Sequence, residues 1–335
     1  MTRPLPRTIL VTGATGFLGS HVSAALVARG VAVRGLVRRT DAPLPARVEP
    51  AYARGLDDRE GIAAALQGVE GVIHLAARVH QVATPNDETA FRAVNVEGTR
   101  ILLQEALAMG VRDFVFTSSV KAVGERSETR WDETTPPAPV DPYGATKLEC
   151  ETLVRSLGER ARVHTPILRL PLVYGPGMKG NALRLFRLVD RGWPLPLGSA
   201  RNRRSLLFTG NLVAAVFAAL ESPSGSDTFF VTDAEAVSTP ELVKAIGHAL
   251  GRPARLLAFP VPLLQAFGRV GDAVARGFPF PLTTEAVNRL VGSLEVDGSL
   301  LVRRTGYTRP FTLAEGLRVT AEWYHHHYHC ARPGG

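Results

Sequence analysis

The chain has 335 residues, 45% of them apolar and 21% charged, with 32 Gly and 24 Pro spread along it. This length accommodates one or two domains, and the balance excludes disorder, collagen and coiled coil as descriptions of the whole. Thirty-nine Lys and Arg against 31 Asp and Glu leave a charge of +8, which favours anionic ligands; with no nucleic-acid motif present, phosphate ligands rank above nucleic acid.

Arg3 and Arg7 precede an apolar stretch, Ile9 to Leu18, but Gly13, Gly16 and the adjoining Gly19, with no cleavage site, argue against a signal peptide. Thr8 to Thr12 is a short β-branched run suited to a buried parallel strand. A Gly-rich turn follows, and Val22, Leu26 and Val27 then share a helical face that Gly30 ends. Val31 to Val37 reads as strand, Ile62 to Leu66 as helix, Gly71 to Leu75 as strand and Phe91 to Met109 as one long helix. Phe114 to Thr117 is strand, Tyr143 to Leu157 helix and His164 to Leu170 strand. Strands alternating with helices predict βαβ units and a parallel, doubly wound sheet.

The second half is less regular. Pro-rich breaks at 194–196, 260–262 and 279–281 separate helical pieces such as Asn211 to Leu220 and Pro240 to Leu250. The stretch nearest to a membrane span, Leu256 to Leu282, is interrupted by Pro260, Pro262, Arg269, Asp272 and Arg276, so no integral membrane segment is expected. Two cysteines, Cys150 and Cys330, cannot form a disulfide framework and suit a reducing, cytoplasmic setting. His325, His326, His327, His329 and Cys330 crowd the C-terminus beyond the last regular element, and no structural or catalytic metal is expected there.

Three groups of residues carry chemistry. Gly13, Thr15, Gly16, Phe17, Leu18 and Gly19 form a G-x-x-G-x-x-G turn between the first strand and the first helix. Gly13 permits the tight turn, Gly16 a close approach of pyrophosphate, and Gly19 close helix–strand packing, while the helix N-terminus offers free N–H groups. The second strand ends in Arg38 and Arg39, where an NAD site usually carries a carboxylate. Guanidinium groups suit a 2′-phosphate, so NADP(H) is favoured over NAD(H). Finally, Ser118 and Ser119 follow a strand, and Tyr143 and Lys147 share a helix face at i, i+4. A nearby ammonium and an oxidised nicotinamide are expected to lower the phenol pKa, so that Tyr143 can exchange a proton with a substrate oxygen that Ser119 also hydrogen-bonds.

With these motifs the chain resembles the extended short-chain dehydrogenase/reductases, specifically the NAD-dependent epimerase/dehydratase group acting on nucleotide sugars. The resemblance runs over about residues 8 to 324 and includes His74-Leu75-Ala76-Ala77, Asn95 to Thr99, and Arg169 followed by Val173 to Gly177. It implies a Rossmann-type doubly wound parallel sheet with a smaller mixed α/β substrate domain: residues 1–172 bind the dinucleotide with return segments within 205–232, and 173–204 with 233–330 form the substrate lobe. It implies that Ser119, Tyr143 and Lys147 are catalytic, that Leu75, Ala76 and Ala77 line the cofactor, that Asn95 supports the active site, and that Pro171 and Val173 lie on the nicotinamide side. Adenine contacts are expected from Leu56 and Asp57, in a stretch that departs from the family's usual Gly-Asp-Leu. Asn181 and Arg204 fall where the family contacts the nucleotide diphosphate, and Ser118 and Lys121 are taken as substrate-side residues.

The finer resemblance is to enzymes acting at C4 of UDP-N-acetylhexosamines. Arg38 and Arg39 favour an NADPH-dependent reductase of a UDP-4-keto-(6-deoxy)-N-acetylhexosamine in surface-polysaccharide synthesis. A C4-epimerase with tightly held NAD is the alternative, and a non-catalytic cofactor-binding scaffold is a reading of another class. A dehydratase is disfavoured, because Val120 and Lys121 stand where that branch has an acidic pair. Apolar positions on two helices, including Ile101, Leu102, Leu103, Leu148, Leu153 and Val154, together with the family's habit, imply a homodimer.

Overall fold

A computed structural model describes residues 2–79, 87–223, 227–275 and 283–328. Its first half alternates strand and helix: β1 (Thr8–Thr12), α1 (Phe17–Ala28), β2 (Ala32–Val37), β3 (Val48–Tyr52), α2 (Arg59–Leu66), β4 (Gly71–His74), α3 (Asp87–Phe91), α4 (Gly98–Ala108), β5 (Asp113–Ser119), α5 (Pro142–Ala161) and β6 (Ile167–Leu170). There follow β7 (Leu172–Tyr174), α6 (Gly180–Asp190), β8 (Leu206–Phe208), α7 (Thr209–Glu221), β9 (Thr228–Phe230), α8 (Thr239–Ala249), α9 (Val261–Ala275), α10 (Thr284–Val291), α11 (Ser299–Thr305) and α12 (Leu313–Tyr328).

Seven strands form one sheet in the order β3-β2-β1-β4-β5-β6-β9, and every neighbouring pair is parallel. The order reverses beside β1, and both faces are covered. Val11, Val115 and Leu168 pack with α1 and α7 residues such as Val22, Leu26, Leu212 and Val216 on one face. Leu10, Phe114 and Phe116 pack with α2, α4 and α5 residues such as Ile62, Leu102 and Val154 on the other. Period-2 alternation of side chains along the central strands feeds the two layers.

A separate apolar cluster joins α6, α8, α10 and α12 through Phe186, Val243, Val287 and Leu317. The two-stranded β7–β8 ribbon lies between this cluster and the sheet, because Tyr174 and Phe208 belong to the former and Leu207 to the latter.

The structure departs from the sequence expectations in identifiable places. The predicted helix from Phe91 to Met109 is three pieces, with a π-helical segment at Arg92–Glu97 between α3 and α4. The wider turn falls where Asn95 points inward. The strand predicted from His164 begins at Ile167; Pro166 lacks an N–H, and His164 makes only an isolated bridge to Asp113. The unpredicted β3 lies at the sheet edge, where Pro50 is tolerated. Leu102, Leu103, Leu153 and Val154 are buried in the chain's own core. Of the positions assigned to a dimer, only Ile101 and Leu148 stay half-exposed. His325 to His327 lie in the last turn of α12, whereas His329, Cys330 and the break at 279–281 fall outside the described residues. Among the described residues no cluster of metal-ligand side chains occurs and no helix is long and apolar enough to cross a membrane.

Candidate active site

The carboxyl ends of β1, β4, β5 and β6 converge on one edge of the sheet, beside the point where strand order reverses. Crevices in open α/β sheets form at such an edge.

The first component is the turn from β1 into α1. Gly13 has φ +71°, and a Cβ there would stand 3.0 Å from the Ala76 nitrogen. A Cβ on Gly19 would lie 2.0 Å from the Gly13 carbonyl oxygen, so only glycine lets α1 begin this close to the turn. The helix N-terminus carries no side-chain cap. The early N–H groups of Phe17, Leu18 and Gly19 are thus left to an external acceptor, with Thr15 and Gly16 exposed beside them. This cradle fits the pyrophosphate of a dinucleotide.

The cradle is braced from beneath. Thr12 Oγ1 accepts the Ala76 N–H at 3.1 Å and is hydrogen-bonded to His74 Nδ1 at 2.6 Å. His74 Nε2 reaches Thr99 Oγ1 at 2.9 Å. Burial, helped by the Lys147 charge, pushes the imidazole down to about 3, so it stays neutral. Leu75, Ala76 and Ala77 are half-buried at the rim of the crevice.

The second component holds the titratable groups. Ser119 ends β5 and Tyr143 opens α5; the Ser119 hydroxyl accepts the Lys121 N–H at 3.2 Å and lies beside the phenol. Lys147 is buried, donates to the Thr117 carbonyl at 2.7 Å and lies 5.9 Å from the Tyr143 ring centroid. Burial pulls the Lys147 ammonium down to about 8, although Cys150 and Glu151 favour its charge. In the chain by itself, burial first, and then the Asp141 charge, push the phenol above its ordinary value, with the nearby Ser119 hydroxyl opposing them. Asn95 clamps the neighbouring loop, accepting the Arg78 N–H at 2.8 Å and donating to Thr146 Oγ1 at 3.1 Å.

Position 141 is a feature the sequence reading missed. Asp141 caps α5, accepting the Gly144 N–H at 2.6 Å, and Pro142 occupies the first turn. An Asp-Pro pair before a helical run is a recognisable start signal, and it fixes where Tyr143 sits. Lys121 pairs with both Asp141 and Glu125, so its ammonium is engaged by two carboxylates. Burial disfavours that charge, but the carboxylates outweigh it and raise the Lys121 pKa.

Ser118 faces the other way. Its hydroxyl is buried and bonded to Glu151, which forms a buried ion pair with Arg169 at 2.8 Å. The geometry therefore removes Ser118 from the crevice and gives it to the packing beneath α5. Of the remaining predicted residues, Pro171 is buried between β6 and β7, and Val173 lies half-buried in β7. The loop after β7 reaches α1: His21 Nε2 donates to the Pro176 carbonyl at 2.7 Å, and Gly177 sits against Phe17.

On the adenine side, Leu56 packs beneath Gly98, Asp57 is exposed, and Asp58 caps α2 while pairing with Arg54. Arg38 is exposed. Arg39 is also exposed, but both arms of its guanidinium are on Asp41, at 2.9 and 2.6 Å. A carboxylate thus stands near the end of β2, two residues beyond the arginine pair on which the sequence reading rests. On the opposite side Asn181 is exposed at the start of α6. Arg204 is held by the carbonyls of Arg289 and Gly292, at 2.7 and 3.0 Å.

The sequence profile of the NAD dependent epimerase/dehydratase family matches residues 9–231. The chain belongs to this family. It is therefore an NAD(P)-dependent enzyme of the extended short-chain dehydrogenase/reductase type. Among known proteins it is 34% identical to a UDP-glucose 4-epimerase of Vibrio cholerae, over 96% of each chain. A solved Thermus thermophilus UDP-glucose 4-epimerase in complex with NAD superimposes at a TM-score of 0.74 with 25% identity, covering 95% of this chain and 98% of that one. The fold is shared also with a Thermotoga maritima UDP-glucose 4-epimerase at a TM-score of 0.76, with 22% identity over 96% and 99% of the two chains.

Proposed function

We propose that the enzyme transfers hydride at C4 of a UDP-linked hexose or N-acetylhexosamine, and that its net reaction is C4 epimerisation with NAD. The observation that carries the reading is the closeness of the Ser119 hydroxyl to the Tyr143 phenol, beside buried Lys147 at the mouth of the glycine cradle. Residues 1–172 with 205–232 serve as the dinucleotide part, and 173–204 with 233–330 as the sugar-nucleotide lobe. The cofactor's pyrophosphate rests on the α1 N-terminus, with Leu75, Ala76 and Ala77 along one side and Pro171 and Val173 near the nicotinamide. That ring, when bound, supplies the hydride acceptor and donor.

The chain's own groups handle the proton. Ser119 Oγ hydrogen-bonds the C4 oxygen and orients it toward Tyr143. Tyr143 Oη holds the proton exchanged with the C4 oxygen: as phenolate it would take the hydroxyl proton, and as phenol it would return it to the carbonyl oxygen of the 4-keto sugar. Deprotonation of a phenol this deeply buried needs positive charge nearby, which Lys147 offers and to which an oxidised nicotinamide would add. Arg204 and Asn181 contact the diphosphate. Lys121, engaged by Asp141 and Glu125, acts on the start of α5 more than on the ligand.

Epimerisation is preferred to net reduction for two reasons: the Arg39 fork is already filled by Asp41, and the full-length relative from Vibrio cholerae carries the epimerase name. An NADPH-dependent 4-ketoreductase is the second reading, favoured by Arg38, which stands exposed at the end of β2. The test is to incubate UDP-glucose and UDP-N-acetylglucosamine separately with enzyme and NAD, without NADPH, and follow the C4 epimers by NMR. Interconversion at catalytic turnover supports the epimerase. No interconversion, with stoichiometric oxidation of NADPH on a UDP-4-keto sugar, replaces it with the reductase.

A further inference from the structure

The crevice does not use α9. Leu263, Phe267 and Val270 recur at i, i+4 and i+7 and form one stripe, with exposures of 52%, 55% and 62%. Each exposed residue is followed directly by one facing the protein: Leu264 is buried in the lobe's core, and Gly268 and Gly271 are covered. At Gly268 the contact is close, since a Cβ there would meet the Thr284 backbone at 2.9 Å. The inward face of α9 is thus seated on α10, while its apolar outer stripe meets solvent.

The stripe continues into neighbouring chain. Phe259 packs against the Phe267 ring, with centroids 6.0 Å apart and the planes tilted by 45°, and the preceding segment, with Leu257 also exposed, bridges to residues 195–198. Trp193, 57% exposed, stands two residues before that bridge under the Arg191 guanidinium. Residues 190–193 and 252–272 carry four arginines and two aspartates. Asp190 is paired with Arg252, and Asp272 accepts the Thr284 N–H at 2.9 Å. Arg191, Arg255 and Arg269 are exposed around the apolar residues.

We propose that this face of α9 docks the enzyme on an anionic lipid surface, lying in the interface without spanning it. The chemistry is that of an interfacial helix: aliphatic and phenyl side chains enter the acyl boundary, indole sits at headgroup level, and arginines meet lipid phosphates. The charge selects the occupant. A second copy meeting this face across a two-fold axis would bring like arginines together, whereas an anionic bilayer complements them.

The test is co-sedimentation of the full chain with sucrose-loaded vesicles of phosphatidylglycerol and phosphatidylethanolamine, and with vesicles of phosphatidylcholine alone. The wild type is expected to partition onto the anionic vesicles at least about tenfold more strongly, and less so at high salt. The double variant Leu263→Glu/Phe267→Glu should lose at least about tenfold of that partitioning while keeping NADH binding. Should the double variant fail to bind NADH, the single variant Val270→Glu, at the most exposed position of the stripe, carries the same expectation. Equal partitioning of wild type and folded variant overturns the proposal, as does absence of wild-type binding to anionic vesicles. A wild-type dimer that the variant converts to monomer, without vesicle binding by either, assigns the stripe to a second copy and also overturns it.

Discussion

Ser118 and Ser119 are chain neighbours with opposite allegiances: Ser118 Oγ donates to Glu151 at 2.5 Å on the α5 face of β5, while Ser119 Oγ accepts the Lys121 N–H at 3.2 Å and lies beside Tyr143 at the crevice. The alternation of side chains along a strand produces this split. One serine anchors the body of α5 through the Glu151–Arg169 pair, and the other meets the tyrosine at its first turn. Removing one partner of that pair leaves an uncompensated buried charge. Arg169→Leu should therefore lower unfolding free energy by about 3–5 kcal/mol, and Ser118→Ala by about 1–3 kcal/mol. Urea denaturation monitored by circular dichroism measures both.

Tyr143→Phe keeps the ring that packs 6.4 Å from Phe91 but removes the hydroxyl. Fold and cofactor binding should persist, and turnover should fall by at least about 10²-fold, the scale of general acid–base catalysis. Steady-state rates with the sugar nucleotide that proves active decide it; near-wild-type turnover would remove Tyr143 from the mechanism.

Arg38 and Arg39 offer a test of cofactor choice. Because Asp41 already holds Arg39, Arg38→Ala/Arg39→Ala should change NADH affinity little and NADPH affinity by less than about tenfold. Asp41→Ala, which frees the Arg39 fork, should raise NADPH affinity relative to NADH, most clearly at low salt. Fluorescence titration of both cofactors against the three proteins reads this out, and a large selective loss of NADPH binding in the double variant would restore the 2′-phosphate reading.

His74 gives stability an acid limb. Its value in the folded chain is depressed to about 3 from 6.5, by burial and then by Lys147. The unfolded chain takes up a proton on this residue below pH 6.5 while the folded chain does not. The contribution is therefore fully present above pH 6.5 and is lost as pH falls toward 3, with a slope of about 1.4 kcal/mol per pH unit. His74→Gln, which keeps a hydrogen-bonding side chain between Thr12 and Thr99, should flatten that limb in urea midpoints taken at pH 4.5, 5.5 and 7.5. An unchanged slope would show that other groups set it.

What could be read from the sequence follows from locality. The glycine turn, the Tyr143–Lys147 spacing and the central strands depend on neighbours within a few residues, so pattern alone exposes them. The misread features depend on contacts distant in sequence or on a competing rule. Which way Ser118 points is decided by Glu151 and Arg169, 33 and 51 residues away. The strand at Val48–Tyr52 carries a proline that argues against a strand until its edge position is known. Lys121 has a local partner in Glu125, four residues on, but its second partner, Asp141, becomes a neighbour only through the cap of α5. The Tyr143 environment depends on burial, which no local spacing reports.

The pairing of β9 with β6 sets a constraint on how the protein is made. Leu170 ends β6, yet the strand that covers its open edge ends at Phe230. A growing chain therefore presents an unpaired parallel edge until some 60 further residues have been added. At synthesis rates of about 5–20 residues per second that interval is on the order of several seconds, beyond the lifetime of most local collapse. Nascent chains of this enzyme should be most vulnerable to aggregation, and most dependent on chaperones, in that window, and a fragment ending near residue 172 would carry the vulnerability permanently.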